Sequence, residues 1–194
     1  MAVRWEVASD EAFATVVASG TETATAASGH TVHAAVSGLG PDRWYHYRFT
    51  HGPNVSRSGR LRTAPAPGSS PDRLRFTFSS CQQITDSYYV AHRALTHESL
   101  DFFLHLGDYV YVNDDATLTL EDYRACYRRW RAERGLRDLH AALPLVAMWD
   151  DGEFYNGVDR NGDPTRLAAA RRAWFDHQPV LDDGSQTAYR SLSW

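Results

Sequence analysis

From Val3 to Thr63 apolar and polar residues alternate in short runs, VRWEVA, FATVVASG, TVHAAV, WYHYRFTH and VSRSGRLRT, broken by Gly, Pro, Ser and Asp. Side chains on a strand point alternately to its two faces, so a period of two between turn residues predicts antiparallel strands with one solvated side. Beyond the stretch APAPGSSPDR the period changes. Leu74 to Ser80 reads as a strand, residues 86 to 98 as a helix, and Leu100 to Leu106 as a second strand. Residues 119 to 133 predict a helix with Thr119 as N-cap and Glu121 and Asp122 in its first turn, where carboxylates meet the positive end of the helix dipole. The apolar run from Pro144 to Trp149 predicts a third strand, and residues 165 to 178 a further helix. Strands alternating with helices imply crossover connections and a mainly parallel sheet.

The two patterns divide the chain into an α+β, two-domain arrangement: an N-terminal β-sandwich over 1–64, a Pro/Gly/Ser-rich linker over 65–73, and a mixed domain over 74–194. Leu39-Gly40-Pro41, followed by Trp44, Tyr45 and Tyr47, resembles the corner and aromatic strand of a fibronectin type III or immunoglobulin-like sandwich. Five candidate strands, where such a sandwich has about seven, make it incomplete.

Charge and composition narrow the function. A formal net charge of -4 over 194 residues offers no basic footprint for nucleic acid as a structural partner. No apolar stretch approaches the roughly 20 residues of a membrane span, and the opening MAVRWEVASD lacks the charged-then-apolar order of a signal peptide. With only Cys81 and Cys126, a disulfide framework is excluded, and either one bridge or two free thiols is allowed.

Each predicted strand of the second half ends in reactive residues: Ser80-Cys81-Gln82-Gln83, Gly107-Asp108-Tyr109-Val110-Tyr111 and Trp149-Asp150-Asp151. The carboxyl ends of parallel strands share one edge, where ligands bind in open α/β sheets. A thiol, several carboxylates and a phenol brought together there call for a cation to offset their repulsion. Thiolate and phenolate favour a Lewis-acidic transition metal, whereas clustered carboxylates favour a hard cation, so a mixed pair of ions is expected. Such a pair suits phosphoester hydrolysis.

FTFSSCQQ, LHLGDYVY and MWDDGEFYNG together resemble, in order and context, the motifs of the alkaline phosphatase D (PhoD-like) family of calcineurin-like metallophosphoesterases. The resemblance implies a partial sandwich followed by the first half of an α/β metallophosphoesterase domain that hydrolyses phosphomonoesters or phosphodiesters of small molecules. It implies a ferric-iron and calcium centre with Cys81 and Tyr111 as iron ligands, Asp108 as the bridging carboxylate and Asp151 as the ligand from the third motif; Asp108 and Asp151 would thus serve the catalysis. It also implies an extracytoplasmic, periplasmic or secreted location.

Two departures from the family pattern stand out. Gly152 occupies the histidine position of Trp-Asp-Asp-His-Glu, which removes a donor whose loss costs roughly 2.7–4 kcal/mol of transition-state stabilisation in a well-studied hydrolase. The family's later Gly-Asp-Val-His-like ligand segment has no counterpart before Trp194, so a fragment cut at both ends and an incomplete metal site are expected. Both departures keep open an alternative, a non-catalytic binding module or degenerate remnant. Elsewhere, Asp159-Arg160-Asn161-Gly162-Asp163 reads as a polar turn, since Pro164 and Ala170 stand where a calcium loop needs Gly and Glu. Cys126, beside Tyr123, Tyr127 and Trp130, reads as core. Arg128, Arg129, Arg131 and Arg134 read as a solvated helix face.

Overall fold

The structure, a computed structural model, describes residues 1–84, 89–112, 119–182 and 184, 185, 187, 188, 191, 192 and 194. The alternating N-terminal runs form β1 (Ala2–Ala8), β2 (Val16–Thr23), β3 (Trp44–His51), β4 (Asn54–Val55) and β5 (Gly59–Arg62). All pair antiparallel in one five-stranded sheet, with β1 between β2 and β3, and with β4 and β5 both on the far side of β3. The third of the five expected runs, TVHAAV, forms no strand. Residues 31 to 36 pair with no strand among those described and instead line an apolar crevice of about 680 Å³ with His177 and Gln178. Packing into that crevice replaces the ladder that its alternation predicted. Gly40 N–H donates to the Tyr45 hydroxyl at 2.9 Å, and Tyr45 is buried.

The second sheet contains β6 (Phe76–Ser79), β7 (Phe102–His105) and β8 (Leu145–Ala147), parallel and in that spatial order. Between them run α1 (Val90–Leu95), α2 (Leu120–Arg131) and α3 (Arg134–Ala142), and α4 (Pro164–His177) follows. The strands and α1 are shorter than their sequence patterns, and residues 86–88 of the first predicted helix lie outside the described residues.

Helix α2 is fixed at both ends by its own sequence. Thr119 Oγ1 accepts the Asp122 N–H while Asp122 Oδ2 accepts the Thr119 N–H, a reciprocal cap. Arg128, Arg129 and Arg131 in the last turn complement the dipole. Its buried residues Tyr123, Arg124, Tyr127 and Trp130 lie on one face. Helix α4 starts on Asp163, whose carboxylate accepts from Thr165 and Arg166 N–H, with Pro164 in the first turn. Its buried face, Ala170, Ala173, Trp174 and His177, packs on α2 to form the main core with Tyr109, Tyr127, Leu136 and Phe154.

Arg124 joins the N-terminal sheet region to this core. Its guanidinium is buried, bonds Asp176 Oδ2 of α4 at 2.7 and 2.9 Å, and donates to the carbonyls of Ala26 and Ala27. Among the described residues no helix is long and apolar enough to cross a membrane.

Candidate functional site

The site grows from the carboxyl ends of β6, β7 and β8. Parallel pairing carries Ser79 beside His105 and His105 beside Ala147, so the segments that follow emerge side by side. Backbone bonds lace them together: Cys81 N–H to Gly107 O at 3.2 Å, Gln82 N–H to Asp108 O at 3.1 Å, and Val112 N–H to Gly152 O at 3.1 Å. Trp149 anchors the third segment through edge contacts with Phe154 and Trp174, at ring separations of 5.6 and 5.0 Å.

Cys81 and Asp108 adopt left-handed backbone conformations, φ 58° and 57°. Such positions cost non-glycine residues of order 1–3 kcal/mol and cluster at functional sites. Gly107, φ 112°, precedes Asp108, and a Cβ there would lie 2.5 Å from Asp150 Cβ and 2.8 Å from its backbone nitrogen. Only glycine lets these two loops touch.

Asp108 is the hub. Its Oδ2 accepts from the Tyr111 hydroxyl at 2.8 Å and from Cys81 Sγ at 3.4 Å, and its Oδ1 accepts the Gly152 N–H at 2.9 Å. Burial, followed by the hydrogen bonds to Cys81 and Asp108, pushes the Tyr111 phenol well above its ordinary pKa. Asp108, Asp150 and Asp151 each bring an oxygen to within 4.8 Å of the others. Among the described residues none of these carboxylates pairs with an arginine or histidine. Three such groups repel one another without a cation, and hard oxygens beside a thiol and a phenol make a donor set that fits one.

The four residues expected from the motifs therefore converge: Cys81, Asp108 and Tyr111 are in direct contact, and Asp151 shares the acid cluster. Asp150, which the resemblance does not carry over as a ligand, belongs to that cluster as well. It also caps a short 3-10 turn over Asp151–Glu153, accepting the Asp151 N–H at 2.9 Å.

Glu153 escaped the motif reading. It is fully buried and accepts the N–H groups of Asp108 at 3.0 Å, Tyr109 at 2.6 Å and Asp150 at 2.8 Å. One side chain thus holds two of the three loops. Burial raises its pKa to about 7, against the lowering effect of those N–H bonds. The Asp-x-x-Glu spacing of a reciprocal cap was the available signal.

Acidic and thiol donors thus gather at the carboxyl edge of a parallel sheet. Residues 1–65 match the N-terminal domain of PhoD-like phosphatases and residues 76–194 match PhoD-like phosphatase itself; the chain belongs to the PhoD-like phosphatase family. It is 37% identical to alkaline phosphatase D of Bacillus subtilis (strain 168) over 203 aligned residues, which take in 92% of this chain and 35% of the relative. A solved structure of PhoD superposes with a TM-score of 0.87 at 36% identity, covering 93% of this chain and 39% of that one. The chain thus spans little more than a third of the length of either.

Proposed function

We propose that this chain carries part of the active centre of a metal-dependent phosphoester hydrolase acting on phosphomonoesters or phosphodiesters. The carrying observation is the convergence of Cys81, Tyr111, Asp108, Asp150 and Asp151 at one sheet edge, in a chain of the PhoD-like phosphatase family. Cys81 and Tyr111 would hold a ferric ion, Asp108 would bridge it to calcium, and Asp151 would complete the set with Asp150 beside it. When bound, the ions would supply Lewis acidity and neutralise charge on the phosphoryl oxygens. The chain's own contribution is positioning: the left-handed turns at Cys81 and Asp108 aim their side chains at one point, and Glu153 fixes two of the loops through their backbone.

The same reading takes residues 1–64 as an incomplete fibronectin-like sandwich, 65–73 as a linker and 74–194 as the first half of the metallophosphoesterase domain, working outside the cytoplasm as alkaline phosphatase D-like enzymes would. The test is to express the chain, measure bound iron and calcium by elemental analysis, and assay a chromogenic phosphodiester beside Cys81→Ala and Asp108→Ala. Lower metal content and lower rates in both variants are expected. Equal metal content and equal rates in all three proteins would overturn the reading.

A further inference from the structure

A second polar concavity lies away from the acid cluster. It is a groove of about 820 Å³ between the β3 and β5 strands and the α1 and α3 helices. Four guanidiniums, those of Arg57, Arg60, Arg93 and Arg134, line it against two carboxylates, Glu11 and Asp138. In a chain of net charge -4 this is a local excess of positive charge. Asp138 is already shared, 2.7 Å from Arg57 and 3.7 Å from Arg134. Arg60 stacks over the Trp44 ring at 4.1 Å, which fixes its plane and leaves its N–H edge to donate. Among the described residues neither Arg60 nor Arg93 has a carboxylate partner. His46 and His97 also face the groove.

Its place in the fold separates it from the proposed centre. Thr96 and His97 precede β7, and Ala141 and Ala142 precede β8. The groove therefore opens toward the amino ends of the parallel strands, whereas Asp108, Asp150 and Asp151 follow their carboxyl ends.

We infer that this groove is a separate anion site that takes an oligophosphate, a ligand with several phosphates in series. The two forks without a carboxylate, those of Arg60 and Arg93, line one open groove, and each can hold one phosphate through two parallel N–H bonds, which matches phosphates in series. The inference goes beyond the hydrolase reading and does not require it.

Calorimetric titration of the whole chain with tripolyphosphate, in buffer containing EDTA so that no metal bridges ligand and protein, tests it. Saturable binding that weakens with added salt is expected. Arg60→Gln and Arg93→Gln, both at exposed positions, should each weaken it by about tenfold, with unchanged circular dichroism. Asp108→Ala should bind as the parent does. Absence of binding, binding insensitive to both arginine variants, or binding lost instead in Asp108→Ala would overturn the inference. Equal affinity for poly-glutamate of matched charge would overturn its phosphate character.

Discussion

Asp108 Oδ1 rests on the backbone N–H of Gly152 at 2.9 Å, and a Cβ on Gly152 would stand 2.5 Å from that same oxygen. Position 152, where the resemblance implies a histidine, is therefore coupled to the side-chain position of the Asp108 carboxylate. The Asp108 carboxylate is the movable partner, because the next contact, Val110 O at 3.2 Å, is backbone. Gly152→His should turn it off the amide and lower stability by about 1 kcal/mol, while raising the turnover number on a chromogenic phosphodiester. Denaturation and kinetics on the same preparation check both. Unchanged values in each would mean that the glycine and the carboxylate are independent.

Glu153→Ala should be far more damaging to stability than its distance from any ligand suggests. Two buried N–H groups and one part-buried N–H lose their acceptor, at about 1–3 kcal/mol for each buried one left unpaired. A loss of about 3 kcal/mol or more in urea denaturation is expected. Glu153→Gln, with one oxygen in place of two, should recover only part of it. Bound metal should fall in the same order, which a purely global destabilisation measured below the melting transition would not produce.

Gly107→Ala meets both a left-handed backbone and the Asp150 amide nitrogen at 2.8 Å. Since that neighbour is backbone, it cannot swing aside. A destabilisation of about 2 kcal/mol or more is expected, together with reduced metal content by elemental analysis.

Arg124→Ala removes the buried cation that faces Asp176 and the Ala26 and Ala27 carbonyls. Breaking one side of a buried pair costs roughly 3–5 kcal/mol. Asp176 keeps Arg172 at 2.9 Å, which places the expected loss near the lower bound, about 3 kcal/mol. A midpoint shift in denaturant below about 1 kcal/mol would show that the pair behaves like an exposed one.

Acid should unfold the chain through its histidines. His105 and His177 are buried, with burial lowering their pKa values to about 3 and about 4 from 6.5. Their neutral forms are favoured in the fold, so their contribution is complete above pH 6.5 and is lost as the pH falls toward those values. Each gives a slope of at most about 1.4 kcal/mol per pH unit. Glu153, raised to about 7 from 4.5, works in the opposite sense and adds stability as the pH falls from 7 to 4.5. The steepest loss per unit is therefore expected below about pH 4.5, from titrations of urea midpoints against pH. Stability that stays flat from pH 6 to 3 would contradict the burial of these rings.

Much of this was legible from residues alone because it is local. Thr119 and Asp122 announce the start of α2, and parallel connectivity alone puts the three strand tips on one edge. What escaped depends on contacts between distant segments. Thr31 to Val36 alternates like a strand, yet only the crevice beside His177 decides that it forms none. Arg124 sits among arginines that read as a solvated face, and its burial follows from Asp176, 52 residues later. The Asp150-x-x-Glu153 spacing signals only the local cap, whereas the Asp108 and Tyr109 amides that Glu153 also holds belong to a distant segment and carry no sequence signature.

The Glu153 carboxylate answers to two loops at once, and this has a dynamic corollary. The 150–153 tip cannot lift without freeing the Asp108 and Tyr109 amides, nor the 107–109 tip without freeing the Gly152 amide from Asp108 Oδ1, so their openings are correlated rather than independent. Hydrogen exchange at Asp108, Tyr109 and Gly152 should accordingly report one shared opening event, and any cation seated there would find its pocket either whole or absent.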